Sequence, residues 1–126
     1  HWQGNIDEDA DHESGKIAQS RDVCATFTNN MERCTPGNWL PSNMGWQEWI
    51  KIKDRHIAFL HLDASHDRAS VRDCLTAIKP FLVDSAILCG DDAYDARVIA
   101  GVRDVFPDAE IVGERLWEVV YAQVAD

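Results

Sequence analysis

The chain has 126 residues, room for one domain of ordinary size. Its 12 Lys and Arg stand against 22 Asp and Glu, a formal net charge of −10. A surface of that sign repels phosphate backbones and anionic lipid, which argues against nucleic-acid and membrane partners. With 45% hydrophobic and 27% charged residues, the composition is that of a folded chain and not of a disordered tail.

No apolar run approaches the roughly 18 residues of a membrane span, and no signal-peptide pattern opens the sequence. A cytoplasmic location is expected. The first residues are His1-Trp2 and not Met, which predicts a processed product, a trimmed form or a piece of something longer. One α/β domain is expected over residues 1–126.

In chain order, residues 1–20 are polar and acidic without apolar periodicity, and they predict a mobile loop with Trp2 as an anchor. Asp22 to Cys34 predicts a helix, with Val23, Phe27, Met31 and Cys34 on one face, stopped by Thr35-Pro36-Gly37. Trp39-Leu40 predicts a short strand limited by Pro41. Gly45 to Lys53 predicts a second helical stretch, where Trp46, Trp49 and Ile50 recur at helical steps. The tryptophans read as packing residues in core or interface, or as a platform for a flat ligand.

The second half is more regular. Ile57 to Leu62 is an apolar run ending in Asp63, as expected of a strand buried on both faces. Val71, Cys74, Leu75, Ile78 and Leu82 define an amphipathic helix that ends near Pro80. Ala86 to Cys89 predicts a second buried strand, running into Gly90-Asp91-Asp92. Val98, Ile99, Val102, Val105 and Phe106 predict a further helix, stopped by Pro107. Residues 109–113 and 116–123 predict an antiparallel hairpin. Strand–helix–strand–helix alternation predicts a mostly parallel α/β sheet, with that hairpin at one edge.

The four cysteines, at 24, 34, 74 and 89, form no C-x-x-C pair. They therefore read as reduced thiols rather than as a zinc knuckle or a disulfide framework. No G-x-G fingerprint, Walker A loop or G-x-S-x-G elbow is present.

In an open α/β sheet, ligands bind beyond the carboxyl ends of the strands. Both predicted strands end there in carboxylates: Asp63 after the first, Asp91 and Asp92 after the second. Brought together they would repel one another unless a cation neutralised them, and oxygen donors suit Mg²⁺, Ca²⁺ or Mn²⁺. The alternative is that they are solvated loop residues or helix N-caps. His66, three residues after Asp63, reads either as a general base over the same mouth or as a polar loop side chain. His61, inside the first strand, reads as a core histidine.

Asp63-Ala64-Ser65-His66, then Asp73, then Asp91-Asp92 resembles the second half of class I S-adenosylmethionine-dependent methyltransferases, especially the metal-dependent macrocin O-methyltransferase-like group. The 28-residue interval from Asp63 to Asp91 fits that group and the metal-dependent catechol methyltransferases as well. Trp2-Gln3-Gly4 is similar to the family's D-x-W-x-G stretch, and Phe27-Thr28-Asn29-Asn30 to its F-x-x-N segment.

The resemblance implies a partial Rossmann-like sheet lacking the first two strands and the glycine-rich cofactor loop. It implies S-adenosylmethionine and Mg²⁺ or another divalent cation as cofactors, and a small-molecule hydroxyl as acceptor. Asp63, Asp91 and Asp92 would hold the metal, His66 would be the base, and Trp2 and Ser42 would lie near the cofactor. The chain departs from the family at Val83-Asp84-Ser85, where a Gly-Gly turn is usual.

With the two strands missing, the strand from Ile57 would have an open edge, and the expectation is that either the Trp39 segment moves onto it or the chain pairs edge to edge in a dimer. Two other function classes compete with the enzyme. One is a non-catalytic module that self-associates through the open strand edge. The other is a receiver-like phosphoacceptor, which needs a Lys at a strand end, whereas Lys79 falls in a predicted helix.

Overall fold

In the computed structural model, which describes residues 16–17, 22–42, 44–52 and 56–123, the chain divides into two units, 1–45 and 46–126. The first is built around helix α1, Val23–Cys34. Asp22 caps it by accepting from the backbone N–H of Ala25 at 2.9 Å. At the far end the N–H and the hydroxyl of Thr35 both donate to the Met31 carbonyl, at 3.0 and 2.9 Å. Gly37 then turns the chain at φ 85°, a conformation that needs no Cβ. Phe27 meets Trp39 edge-on at 5.9 Å. The strand expected at Trp39-Leu40 does not form. Pro41 lacks the ladder donor, and Leu40 is 83% exposed with nothing to pair against.

The second unit holds the sheet. It opens with α2, Trp46–Trp49, a single turn and shorter than the Gly45–Lys53 helix expected. Bonds from Lys51 N–H to the Glu48 carbonyl and from Ile52 N–H to the Trp49 carbonyl tighten and end it. Trp46 and Ile50 pack on the core, and the Trp49 ring meets Phe81 at 6.0 Å.

Strand β1 (Ile57–Leu62), helix α3 (Arg68–Ile78), strand β2 (Leu82–Gly90), helix α4 (Ala96–Val105) and strands β3 (Glu110–Val112) and β4 (Leu116–Val120) follow. The sheet order is β1-β2-β4-β3, with β1 parallel to β2 and the other pairs antiparallel. The fold is thus α/β, with a mixed sheet of four strands among the described residues.

Between β1 and β2 the register steps from Ile57↔Leu82 to Phe59↔Ile87, so the β2 side bulges. Ser85 sits in that bulge at φ 63°, the left-handed region that glycine usually occupies. Ser85 N–H donates to the Tyr121 carbonyl, and Asp84 accepts from Gln123 N–H, which hold the bulge in place.

The core lies between one face of the sheet and helices α3 and α4. Leu75, Leu88 and Val102 are fully buried and Trp117 nearly so. Burial of each such aliphatic side chain contributes about 1.5–3 kcal/mol. Gly101 lets the two helices touch, since a Cβ there would lie 2.7 Å from the Arg68 carbonyl oxygen.

The other face is not covered in this way. Phe59, Ile87 and Val120 pair across three strands and are 63%, 44% and 62% exposed. The expectation that β1 is buried on both faces is therefore corrected: it is an edge strand with Ala58, Phe59 and His61 exposed. Its apolar run reflects β propensity together with burial on one side only.

Candidate metal centre

The parallel pairing of β1 with β2 sets Leu62 opposite Gly90, so the residues that follow each strand emerge side by side. A Cβ on Gly90 would lie 2.4 Å from the Leu62 carbonyl oxygen and 2.5 Å from the Trp117 ring. Only a bare backbone lets the strand ends come this close. The turn after β2 is tight. Asp92 adopts φ 61°, which Asp tolerates better than most residues. Its carbonyl accepts from Asp95 N–H at 2.9 Å, while Ala93 N–H donates to the Arg115 carbonyl at 2.8 Å.

Asp63, His66 and Asp92 come together here, with one ligand atom from each lying within 4.8 Å of the others. His66 Nε2 lies 2.8 Å from Asp92 Oδ2. The Tyr94 hydroxyl donates to Asp92 Oδ1 at 2.7 Å. Asp92 is 9% exposed, the one buried charged residue described. Beside the group is a shallow cavity of about 10 Å³, lined among others by Asp63, Ser65, His66, Asp91 and Asp92. That is about the space one water or a monatomic cation occupies.

Asp91 lines the same cavity, but its carboxylate is otherwise engaged. Its Oδ1 accepts from the N–H of Asp92 at 2.8 Å, and Arg115 reaches both oxygens at 3.2 and 3.4 Å. The Asp92 N–H first, and Arg115 next, hold the Asp91 carboxyl below its ordinary 3.8. The group that lies together is thus Asp63, His66 and Asp92, with Asp91 lining the same cavity and paired with Arg115. The Tyr94 hydroxyl moves the other way, above its ordinary 10.0, chiefly because it donates to Asp92.

The helix caps answer the N-cap alternative. Asp67 caps α3 and Asp95 caps α4, each accepting from a first-turn N–H. Asp63 and Asp92 cap no helix; Asp63 is an exposed residue just after β1, as the solvated-loop alternative has it, while Asp92 is buried. The donors that remain beside the cavity are two carboxylates, which suit Mg²⁺ or Mn²⁺, and an imidazole, which suits Zn²⁺ or Fe²⁺. His66 is suited to two tasks. It can give Nε2 to a cation, or it can stay on Asp92, which orients the ring and leaves Nδ1 as the proton acceptor.

Ser42 is an exposed coil residue of the first unit, and Trp2 lies outside the described residues. Asp73 is exposed on α3 and paired with Arg72. His61 is not a core histidine: it is exposed, with Nδ1 3.5 Å from Cys89 Sγ. All four cysteines are free thiols. Tyr94 and Arg115 were not foreseen. Tyr94 carries no motif, and Arg115 joins the site from a hairpin turn 24 residues after Asp91. Among the described residues no helix is long and apolar enough to cross a membrane.

No protein-family model and no curated protein sequence matches the chain.

Proposed function

We propose that this site serves divalent-metal-assisted O-methyl transfer from S-adenosylmethionine to a hydroxyl of a small molecule, on a partial Rossmann-like sheet of the class I methyltransferase type. The observation that carries the reading is the meeting of Asp63, His66 and Asp92 at the ends of two parallel strands. The resemblance calls for Asp63, Asp91 and Asp92 as the metal holders; Asp91 lines the same cavity but is paired with Arg115.

Asp63 and Asp92 are the carboxylates that would hold the cation, with Asp91 beside them paired with Arg115. When bound, the cation supplies positive charge that acidifies the acceptor hydroxyl and orients its oxygen. His66, aligned by Asp92 at 2.8 Å, takes the hydroxyl proton. S-adenosylmethionine would supply the methyl group to that oxygen, its sulfonium leaving as the thioether.

Titration with Mn²⁺, followed by loss of its free-ion paramagnetic resonance signal, tests the cation step. Saturable binding by the wild type that disappears in Asp92→Asn is expected. Absence of binding at millimolar Mn²⁺ would sink the reading. His66→Ala separates the two tasks of that residue: as a base its loss leaves Mn²⁺ binding near the wild-type level, whereas as a ligand its loss abolishes it. Because the resemblance implies that this chain lacks the glycine-rich cofactor loop, radiolabelled methyl transfer to hydroxylated acceptors is expected only from a chain extended upstream by that loop, dependent on the metal and lost in both variants.

A second reading rests on a different observation. Among the described residues β1 has no strand on its outer side, and Phe59 on that strand is exposed. An apolar strand edge is a template for pairing, and this favours a self-associating α/β module.

A further inference from the structure

Tyr94 is 65% exposed, so its ring contributes little to the core. Its one polar atom is nevertheless directed inward. The hydroxyl donates to Asp92 Oδ1 at 2.7 Å, while His66 Nε2 occupies Asp92 Oδ2 at 2.8 Å. With one partner on each oxygen, the Asp92 carboxylate is fixed against rotation. It still keeps lone pairs free for a further ligand, since a carboxylate offers about four acceptor directions.

Tyr94 is itself held from the hairpin between β3 and β4. The Arg115 guanidinium lies 5.6 Å from the Tyr94 ring centroid. The same side chain pairs with Asp91, and the Arg115 carbonyl accepts from Ala93 N–H at 2.8 Å. A single residue outside the strand ends thus touches the turn at 91, 93 and 94.

We propose that Tyr94 is a positioning residue of the cation site, and that Arg115 holds it in place. Tyr94 does not bind the cation; its hydroxyl sets the angle at which Asp92 meets it. The inference rests on the cation-binding reading above. Groups that orient a metal's ligands typically change its affinity about 10- to 100-fold when removed.

The test is Mn²⁺ affinity in Tyr94→Phe, which removes the hydroxyl and keeps the ring beneath Arg115. About a tenfold loss of affinity is expected, with the thermal midpoint of the metal-free protein unchanged. Arg115→Lys keeps the charge beside Asp91 but loses the flat stacking group, and an intermediate loss is expected. Wild-type affinity in Tyr94→Phe overturns the inference and leaves the cation reading standing. A Tyr94→Phe protein whose metal-free midpoint falls in step with its affinity overturns it too, because the hydroxyl would then be structural. No Mn²⁺ binding by the wild type overturns the inference and the reading together.

Discussion

Gly90 has no room for a methyl group, because the Leu62 carbonyl oxygen and the Trp117 ring already occupy that space at 2.4 and 2.5 Å. Gly90→Ala must therefore push apart the two strand ends that carry the site. A loss of about 1–3 kcal/mol is expected from overpacking alone, read as a lower denaturation midpoint, together with weaker Mn²⁺ binding. Cysteine reactivity divides at the same scale. Burial pushes the Cys74 thiol up to about 11, so at pH 8 almost none of it is thiolate. Iodoacetamide followed by mass mapping should modify exposed Cys34 well before Cys74.

Helices α3 and α4 begin on caps whose charge matters. The carboxyl of Asp95 is held down at about 2, first by the Arg97 side chain and then by the Arg97 N–H. Asp67 is lowered as well, by its bonds to Ser70. Both groups bind a proton less readily folded than unfolded, so their ionised forms stabilise the fold. That contribution is complete above the ordinary carboxylate value of 3.8, and for Asp95 it is lost as the pH falls through about 2. Thermal unfolding between pH 6 and pH 2 should show the midpoint falling in that acid window. In Asp95→Asn the fall should be shallower, with a lower midpoint at neutral pH.

At the scale of the whole molecule, one face of the sheet carries the helices and the other presents Phe59, Ile87 and Val120 in a row. If β1 pairs edge to edge, sedimentation should show a concentration-dependent dimer that Phe59→Lys dissociates. A monomer at all concentrations would exclude the self-associating module. A cation that binds only the folded chain raises its stability by about 2.7 kcal/mol at a hundred times its Kd. Saturating Mn²⁺ should therefore lift the unfolding midpoint of the wild type and leave that of Asp92→Asn unchanged.

Much of the second unit was legible in residue order. Apolar steps of three and four residues marked α3 and α4, and Pro80 and Pro107 marked where each ends, because local sterics act within a turn or two. The carboxylates after β1 and β2 were visible for the same reason: they end apolar runs. Burial was not visible. Ile57 to Leu62 reads as a doubly covered strand, yet its place at the sheet edge leaves Phe59 63% exposed, and edge position depends on strand order rather than on composition. The assignment of Asp91 could not be read either. Side by side in sequence, Asp91 and Asp92 look equivalent, and they part company only because Arg115 arrives from a distant hairpin while Asp92 turns back at φ 61° toward His66 and Tyr94. Local periodicity thus marks α3, α4 and the strands of the sheet, since it reflects neighbours along the chain, but it misplaces Leu82, which opens β2, and the strand at Trp39-Leu40, which does not form. Which charges meet is a matter of long-range pairing, and that arises only once the sheet has formed.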